Sequence, residues 1–185
     1  MQRTSANTRI FLENQFKKFH KREFLYSDPL EWVHTFKDPR DQEIVGLFAS
    51  LLAYGNVKQI KVSVGRWLSF MKERAHTPTG FIEKLRSESF ALRVASELSG
   101  VPGHRFNTAL DFLVLSQCVA KSYADFGSIS SHFSSHHSGD SIEKGLDGLC
   151  NDWKRFASTK PKGKYFNFLL ASPQDGSTCK RICMY

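Results

Sequence analysis

Apolar residues recur at helical spacing along most of the chain, and no alternation of strand and helix patterns interrupts them. The sharpest stripe is Ile44, Leu47, Phe48, Leu51 and Leu52. Its helix opens at Asp38-Pro39-Arg40-Asp41, with Asp38 as N-cap, proline at the first helical position, and the acids Asp41 and Glu43 near the positive end of the dipole. Gly55 ends it as a left-handed C-terminal residue. Gly46 inside the stripe costs helix propensity, which predicts close packing against a neighbour. Asn56 then caps a second helix with apolar positions Val57, Ile60, Val64, Trp67, Leu68 and Met71, so the two helices form a tight hairpin about Gly55-Asn56.

Weaker patterns fill in the rest. Residues 7–20 read as a helix with Leu12, Phe16 and Phe19 on one face. An extended stretch follows over residues 25–29, where Pro29 biases Asp28 away from helical geometry. Shorter helices are predicted over residues 78–86 and 88–98, before Gly100-Val101-Pro102-Gly103 breaks the chain. A long helix over residues 107–123 turns Leu110, Leu113, Val114 and Gln117 inward and leaves Cys118 near the core boundary. Residues 128–141 are rich in serine and histidine and read as an exposed connector or a frayed helix. Asp140-Ser141-Ile142-Glu143 resembles a capping box, and Ile142, Leu146, Leu149, Cys150, Trp153 and Phe156 make the next amphipathic helix. The fold class is therefore all-α, an irregular multi-helix domain. No glycine-rich phosphate loop, nucleophile elbow or paired Cys-x-x-Cys supports a well-marked enzyme class.

Composition narrows the setting. A chain of 185 residues normally forms one domain, and 41% hydrophobic residues, with sixteen Phe, supply its core. No run approaches the length of a membrane span and no apolar signal segment opens the chain, so the expectation is a cytoplasmic protein without a membrane partner. Four spread cysteines, Cys118, Cys150, Cys179 and Cys183, fit free thiols in a reducing compartment.

Charge adds candidate chemistry. The formal net charge of +8 fits a partner with a phosphate backbone, DNA first among them, although net charge alone identifies no site. Lys17, Lys18, Lys21 and Arg22 crowd the end of the first helix, where they also complement its dipole. Lys58 and Lys61 stand beside the backbone amides that begin the second hairpin helix, where a phosphate can sit; an ordinary hairpin with a solvated basic face is the preferred reading. Lys154, Arg155, Lys160, Lys162 and Lys164 carry no acid among them and run into Tyr165, Phe166 and Phe168. Cations beside aromatics suit phosphates and unstacked bases, and a surface loop leading into a buried aromatic run fits equally well. His132, His136 and His137 invite a metal, but no carboxylate or cysteine set lies near them in sequence, so no metal and no cofactor is expected.

Four stretches resemble a known family. They are Ser27-Asp28-Pro29 with Phe36; Asp41-Gln42-Glu43-Ile44-Val45-Gly46-Leu47-Phe48-Ala49 through Leu52-Ala53-Tyr54-Gly55-Asn56; His104-Arg105-Phe106-Asn107; and Phe168-Leu169-Leu170-Ala171-Ser172-Pro173 with Gly176-Ser177-Thr178-Cys179-Lys180-Arg181. The sequence is similar to the uncharacterised bacterial domain-of-unknown-function family numbered 2400. Relatives continue past Cys-Lys-Arg into a long helix, whereas Ile182-Cys183-Met184-Tyr185 departs from that pattern. The resemblance thus implies a C-terminally truncated member, from a frameshift, early stop or shortened gene model.

The family itself resembles helix-hairpin-helix DNA glycosylases in the part beyond this chain, which implies an incomplete fold of that type. In those enzymes a lysine near a helix start is the nucleophile, and Lys180 is the matching position. A helix begun near Ser177 would place Lys180 in its first turn, where the dipole favours the neutral amine. A solvated Lys180-Arg181 pair, with Arg181 available to phosphate, is the preferred reading. The resulting expectation is a basic N-terminal helix over residues 1–23, one helical domain over 24–182 and an aberrant end at 183–185. It binds DNA and is related to base-excision glycosylases, but is inactive as this chain, and whether the family is enzymatic stays open. The alternative is a non-catalytic helical module for nucleic acid or protein.

Overall fold

The computed structural model describes residues 2–137, 139 and 141–185. The all-α expectation holds: the described residues form no strand, and an isolated antiparallel β-bridge joins His104 to Asn107. The α-helices are α1 (Gln2–Phe19), α2 (Pro39–Leu51), α3 (Val57–Ala75), α4 (Pro78–Lys84), α5 (Glu88–Ser96), α6 (Ala109–Phe126), α7 (Ile129–His136) and α8 (Ile142–Ser158). Short 3-10 segments at Arg22–Ser27, Pro29–Thr35, Phe166–Leu170, Pro173–Asp175 and Ile182–Met184 complete the chain. No helix of the described residues is long and apolar enough to cross a membrane.

The hairpin forms, but α2 stops at Leu51 with Leu52 as its C-terminal cap, so Gly55 lies in the connection rather than ending the helix. Asp38 accepts from the Arg40 N–H at 2.8 Å and Asn56 from the Lys58 N–H at 2.9 Å. Between the helices Gly55 takes φ +95°, open to glycine at little cost. Ile44, Leu47, Phe48, Leu51 and Leu52 are fully buried, and Trp67 of α3 meets Phe48, Phe81 and Phe112 in the same core. Helix α6 runs through the middle, buried on most of its faces, with a Thr108–Asp111 capping box at its start.

Two acids, Asp41 buried and Glu43 half-buried, tie elements together by capping helices from a distance. The Asp41 carboxylate accepts from the Thr79 N–H at 2.8 Å and from the Thr79 hydroxyl at 2.6 Å, in the first turn of α4. Glu43 accepts from the Ser130 and Ile129 N–H groups at the start of α7 and from the Tyr123 hydroxyl. Each satisfies amides that a helix leaves unpaired, at the end where the dipole favours an anion.

Several expectations change. The face of α1 carrying Leu12, Phe16 and Phe19 stays exposed, with Phe19 meeting only the partly exposed ring of Phe24 among the described aromatic residues besides its own helix's neighbours. The stretch expected to be extended is helical 3-10 backbone through Ser27, and only Asp28, before Pro29, is extended. Val57 lies at the mouth of α3 and is exposed, while Phe70 takes a buried place. Cys118 is fully buried, since α6 is enclosed on most sides, and Leu110 and Gln117 are only partly covered. Residues expected to fray form α7, anchored by buried Ile129 and His132. The capping box involves Asp140, outside the described residues, and Ser141 makes no side-chain cap bond. Gly46 does face neighbours, the Tyr185 ring and Val33, but at the ordinary contact distances of 3.6 and 3.8 Å from where a Cβ would stand.

Candidate nucleic-acid interface

A tight turn lies just ahead of α6. His104 and Asn107 exchange backbone N–H to carbonyl bonds of 2.8 and 2.9 Å, which leaves Arg105 and Phe106 at the tip, both exposed. Arg105 takes φ +52°, uncommon for a residue with a side chain and a frequent mark of functional turns. The base of the turn is fixed by the buried His104. Its Nε2–H donates to the Tyr54 carbonyl at 2.9 Å, which leaves Nδ1 to accept from the Ser63 hydroxyl at 2.9 Å. Burial pulls this imidazole below its ordinary pKa, in keeping with a neutral ring.

The same turn holds a distant loop. Asn107 Nδ2 donates to the Tyr165 carbonyl at 3.1 Å, and Asp111 Oδ1 accepts from the Gly163 N–H at 2.6 Å. A Cβ on residue 163 would stand 2.5 Å from the Asp111 carboxylate, so glycine is required for this approach. The loop after α8 therefore delivers Tyr165 and Phe168 to the tip formed by Arg105 and Phe106.

Tyr54 sits at the centre. Its ring stacks on Phe106 at 5.3 Å between centroids and meets His104 and Phe168 edge-on at 4.6 and 5.1 Å. Its hydroxyl donates to Asn107 Oδ1 at 2.5 Å, and burial raises this phenol to about 12 despite the opposing pull of Arg181. Phe106 also meets Tyr165 and Phe168 at 5.1 and 4.8 Å. The Arg181 guanidinium lies 3.9 Å above Phe168, and it donates to the Leu51 and Phe168 carbonyls. Phe106, Tyr165 and Phe168 remain 38%, 47% and 42% exposed. An aromatic shelf edged by Arg105, Lys164 and Arg181 results, of the kind on which unstacked bases and phosphates are both held.

Three of the four separated stretches that carry the family resemblance meet on this shelf: Tyr54-Gly55-Asn56, His104-Arg105-Phe106-Asn107, and Phe168 with Arg181. Residues 28–185 match the family model described as Protein of unknown function (DUF2400). The chain belongs to that family. No curated protein and no solved structure matches the chain.

In this DUF2400 chain the predicted cations divide by partner. Lys164 lies over the Tyr165 ring and Arg181 over Phe168, so both join the shelf. Lys58 is exposed at the start of α3, beside Gly55, over which Arg105 extends. Lys61 is engaged elsewhere, paired with Glu31 at 2.8 Å and bonded to the Tyr26 carbonyl. Lys154 pairs with Asp175 at 2.5 Å, Lys162 donates to the Ala157 carbonyl at 2.9 Å and Lys160 lies over Phe156. Arg155 is largely exposed and 3.6 Å from Asp152.

The helix expected from Ser177 does not form. Ser177 Oγ accepts from the Cys179 N–H, Cys179 takes φ +54°, and only the short 3-10 turn Ile182–Met184 follows. Lys180 is thus exposed in a turn, without the helix dipole invoked for it. Contrary to the expectation of no metal ligands near the histidines, folding brings the Asp152 carboxylate to His132 and His136. Sequence patterning alone does not mark Tyr54, Arg105, Phe106 and Asn107 as site residues. The presence of two of these stretches in the family resemblance was their signal, whereas the positive φ of Arg105 leaves none.

Proposed function

We propose that this chain is a DNA-binding protein that takes a strand with unpaired bases on the shelf of Tyr54, Phe106, Tyr165 and Phe168, with phosphates met by Arg105, Lys164 and Arg181. The observation that carries the reading is the exposure of three aromatic rings, with Phe106 in contact with both Tyr165 and Phe168 and a guanidinium 3.9 Å above Phe168. Exposed aromatics are costly to leave in water unless something covers them, and every base offers a π-face. The rings are also rigidly held, by the His104–Asn107 turn and the Asn107 and Asp111 bonds to the 163–165 loop, so little order must be gained on binding. The formal charge of +8 favours encounter with DNA without specifying the site.

Ultraviolet crosslinking of a halouracil-substituted single strand, followed by mass spectrometry, tests the placement. Adducts at Phe106, Tyr165 or Phe168 are expected. Adducts confined to the 154–162 segment or to α1 would move the interface elsewhere, and no adduct would argue against DNA binding.

A further inference from the structure

Helices α7 and α8 lie close because α8 carries glycine where the α7 rings arrive. A Cβ on Gly145 would stand 2.6 Å from the Phe133 ring, and one on Gly148 would stand 2.1 Å from the His136 ring. Gly145, Gly148 and Asp152 share one face of α8, and His132 and His136, one turn apart, share one face of α7. Where these faces meet, His132 Nε2 is 3.2 Å and His136 Nε2 2.8 Å from Asp152 Oδ2, and the three atoms all lie within 4.8 Å of one another.

We propose that His132, His136 and Asp152 form a binding site for a divalent transition-metal ion of the zinc type, through both Nε2 atoms and the Asp152 carboxylate, with a fourth position open to solvent. Zinc takes histidine nitrogen and carboxylate oxygen at roughly 2.0–2.2 Å in tetrahedral array, so its ligand atoms stand roughly 3.3–3.5 Å apart. To reach that spacing from Asp152 Oδ2, His132 Nε2 at 3.2 Å needs to move out by about 0.1–0.3 Å and His136 Nε2 at 2.8 Å by about 0.5–0.7 Å. Two imidazoles and one carboxylate are a donor set suited to zinc, cobalt or nickel rather than to magnesium or calcium, which prefer oxygen.

The ring of His132 is oriented as a ligand should be. Trp153 Nε1–H donates to Ser122 Oγ at 2.8 Å, and the Ser122 hydroxyl donates to the Cys118 carbonyl. The remaining lone pair of Ser122 Oγ, 2.8 Å from His132 Nδ1, accepts the Nδ1 proton. That tautomer leaves a bare Nε2 lone pair facing a carboxylate oxygen, an arrangement a cation between them relieves. Phe126 stacks on the same ring at 4.1 Å and fixes its plane. Such partners behind a ligating histidine set its orientation and basicity. Access comes from the outer side, where His136 and Asp152 are partly exposed. Arg155, 3.6 Å from Asp152 Oδ1, is the competing cation and is 80% exposed, free to swing aside.

The test is titration of the full 185-residue chain, stripped with chelator, with Zn2+ by calorimetry and with Co2+ by visible absorption. One equivalent is expected, with the intense d–d bands of tetrahedral cobalt, no thiolate charge-transfer band and a rise in Tm. His136→Ala and Asp152→Asn, both at partly exposed positions, should weaken binding at least tenfold while keeping the helical circular dichroism. His137→Ala, next to the site but outside it, should bind as the unaltered chain does. Absent saturable binding, binding retained in both site variants, or a thiolate band abolished by Cys183→Ser would each overturn the proposal, the first leaving an ion-free hydrogen-bonded triad.

Discussion

The Tyr54 hydroxyl donates to Asn107 Oδ1 at 2.5 Å, which joins the connection after α2 to the turn before α6 across more than fifty residues of sequence. On this bond and on the His104 ring beside it rests the position of the aromatic shelf, because both secure the turn that carries Arg105 and Phe106.

Tyr54→Phe keeps the ring contacts and removes only the hydroxyl, leaving the buried Asn107 Oδ1 without its donor. The expected cost is about 1–3 kcal/mol, as for a buried acceptor deprived of its partner. Urea denaturation measures it. A variant as stable as the unaltered chain would mean that the bond does not hold the turn.

Two glycines should respond in opposite ways to alanine. At residue 163 the new methyl would stand 2.5 Å from the Asp111 carboxylate that accepts the Gly163 N–H, so Gly163→Ala must displace the loop and lose stability. At residue 46 the nearest neighbour, the Tyr185 ring, is 3.6 Å away, and the helix gains up to about 1 kcal/mol in propensity. Gly46→Ala is therefore neutral or stabilising in thermal melts, and a large loss there would contradict the packing described.

Acid should destabilise the fold through His104. Burial sets its folded pKa below the ordinary value, so the unfolded chain binds the proton more readily. The stability this contributes is complete above the unfolded value of about 6.5 and is lost as pH falls from there toward the folded pKa. Melting temperature should decline between pH 7 and 5, and His104→Gln, though less stable at neutral pH, should flatten that decline. An unchanged slope would assign the acid sensitivity to other groups.

Much of the fold was legible in the sequence, and the reasons are local. Asp38-Pro39, Asn56 and the stripe from Ile44 to Leu52 act within one or two turns, so α2 and α3 follow from spacing alone. Helix α7 was hidden because it buries only Ile129 and His132, and its first amides are satisfied by Glu43, more than eighty residues away. The site was legible in half. The Lys164-Tyr165 and Phe168 segment showed its cation and aromatics in sequence, but the Arg105–Phe106 tip depends on a backbone conformation that no neighbouring residue announces. Likewise Lys61 looked available for phosphate until folding placed Glu31 beside it.

The most direct test is fluorescence anisotropy of a labelled, mixed-sequence single-stranded DNA titrated with the unaltered chain and with Phe106→Ala and Phe168→Ala at several salt concentrations. Saturable binding that weakens linearly in log affinity against log salt is expected, and each alanine should weaken it by about 5- to 150-fold, the 1–3 kcal/mol of one stacked base. Binding that ignores salt, or that is unchanged when both rings are removed from folded protein, would contradict the assignment of the shelf to DNA.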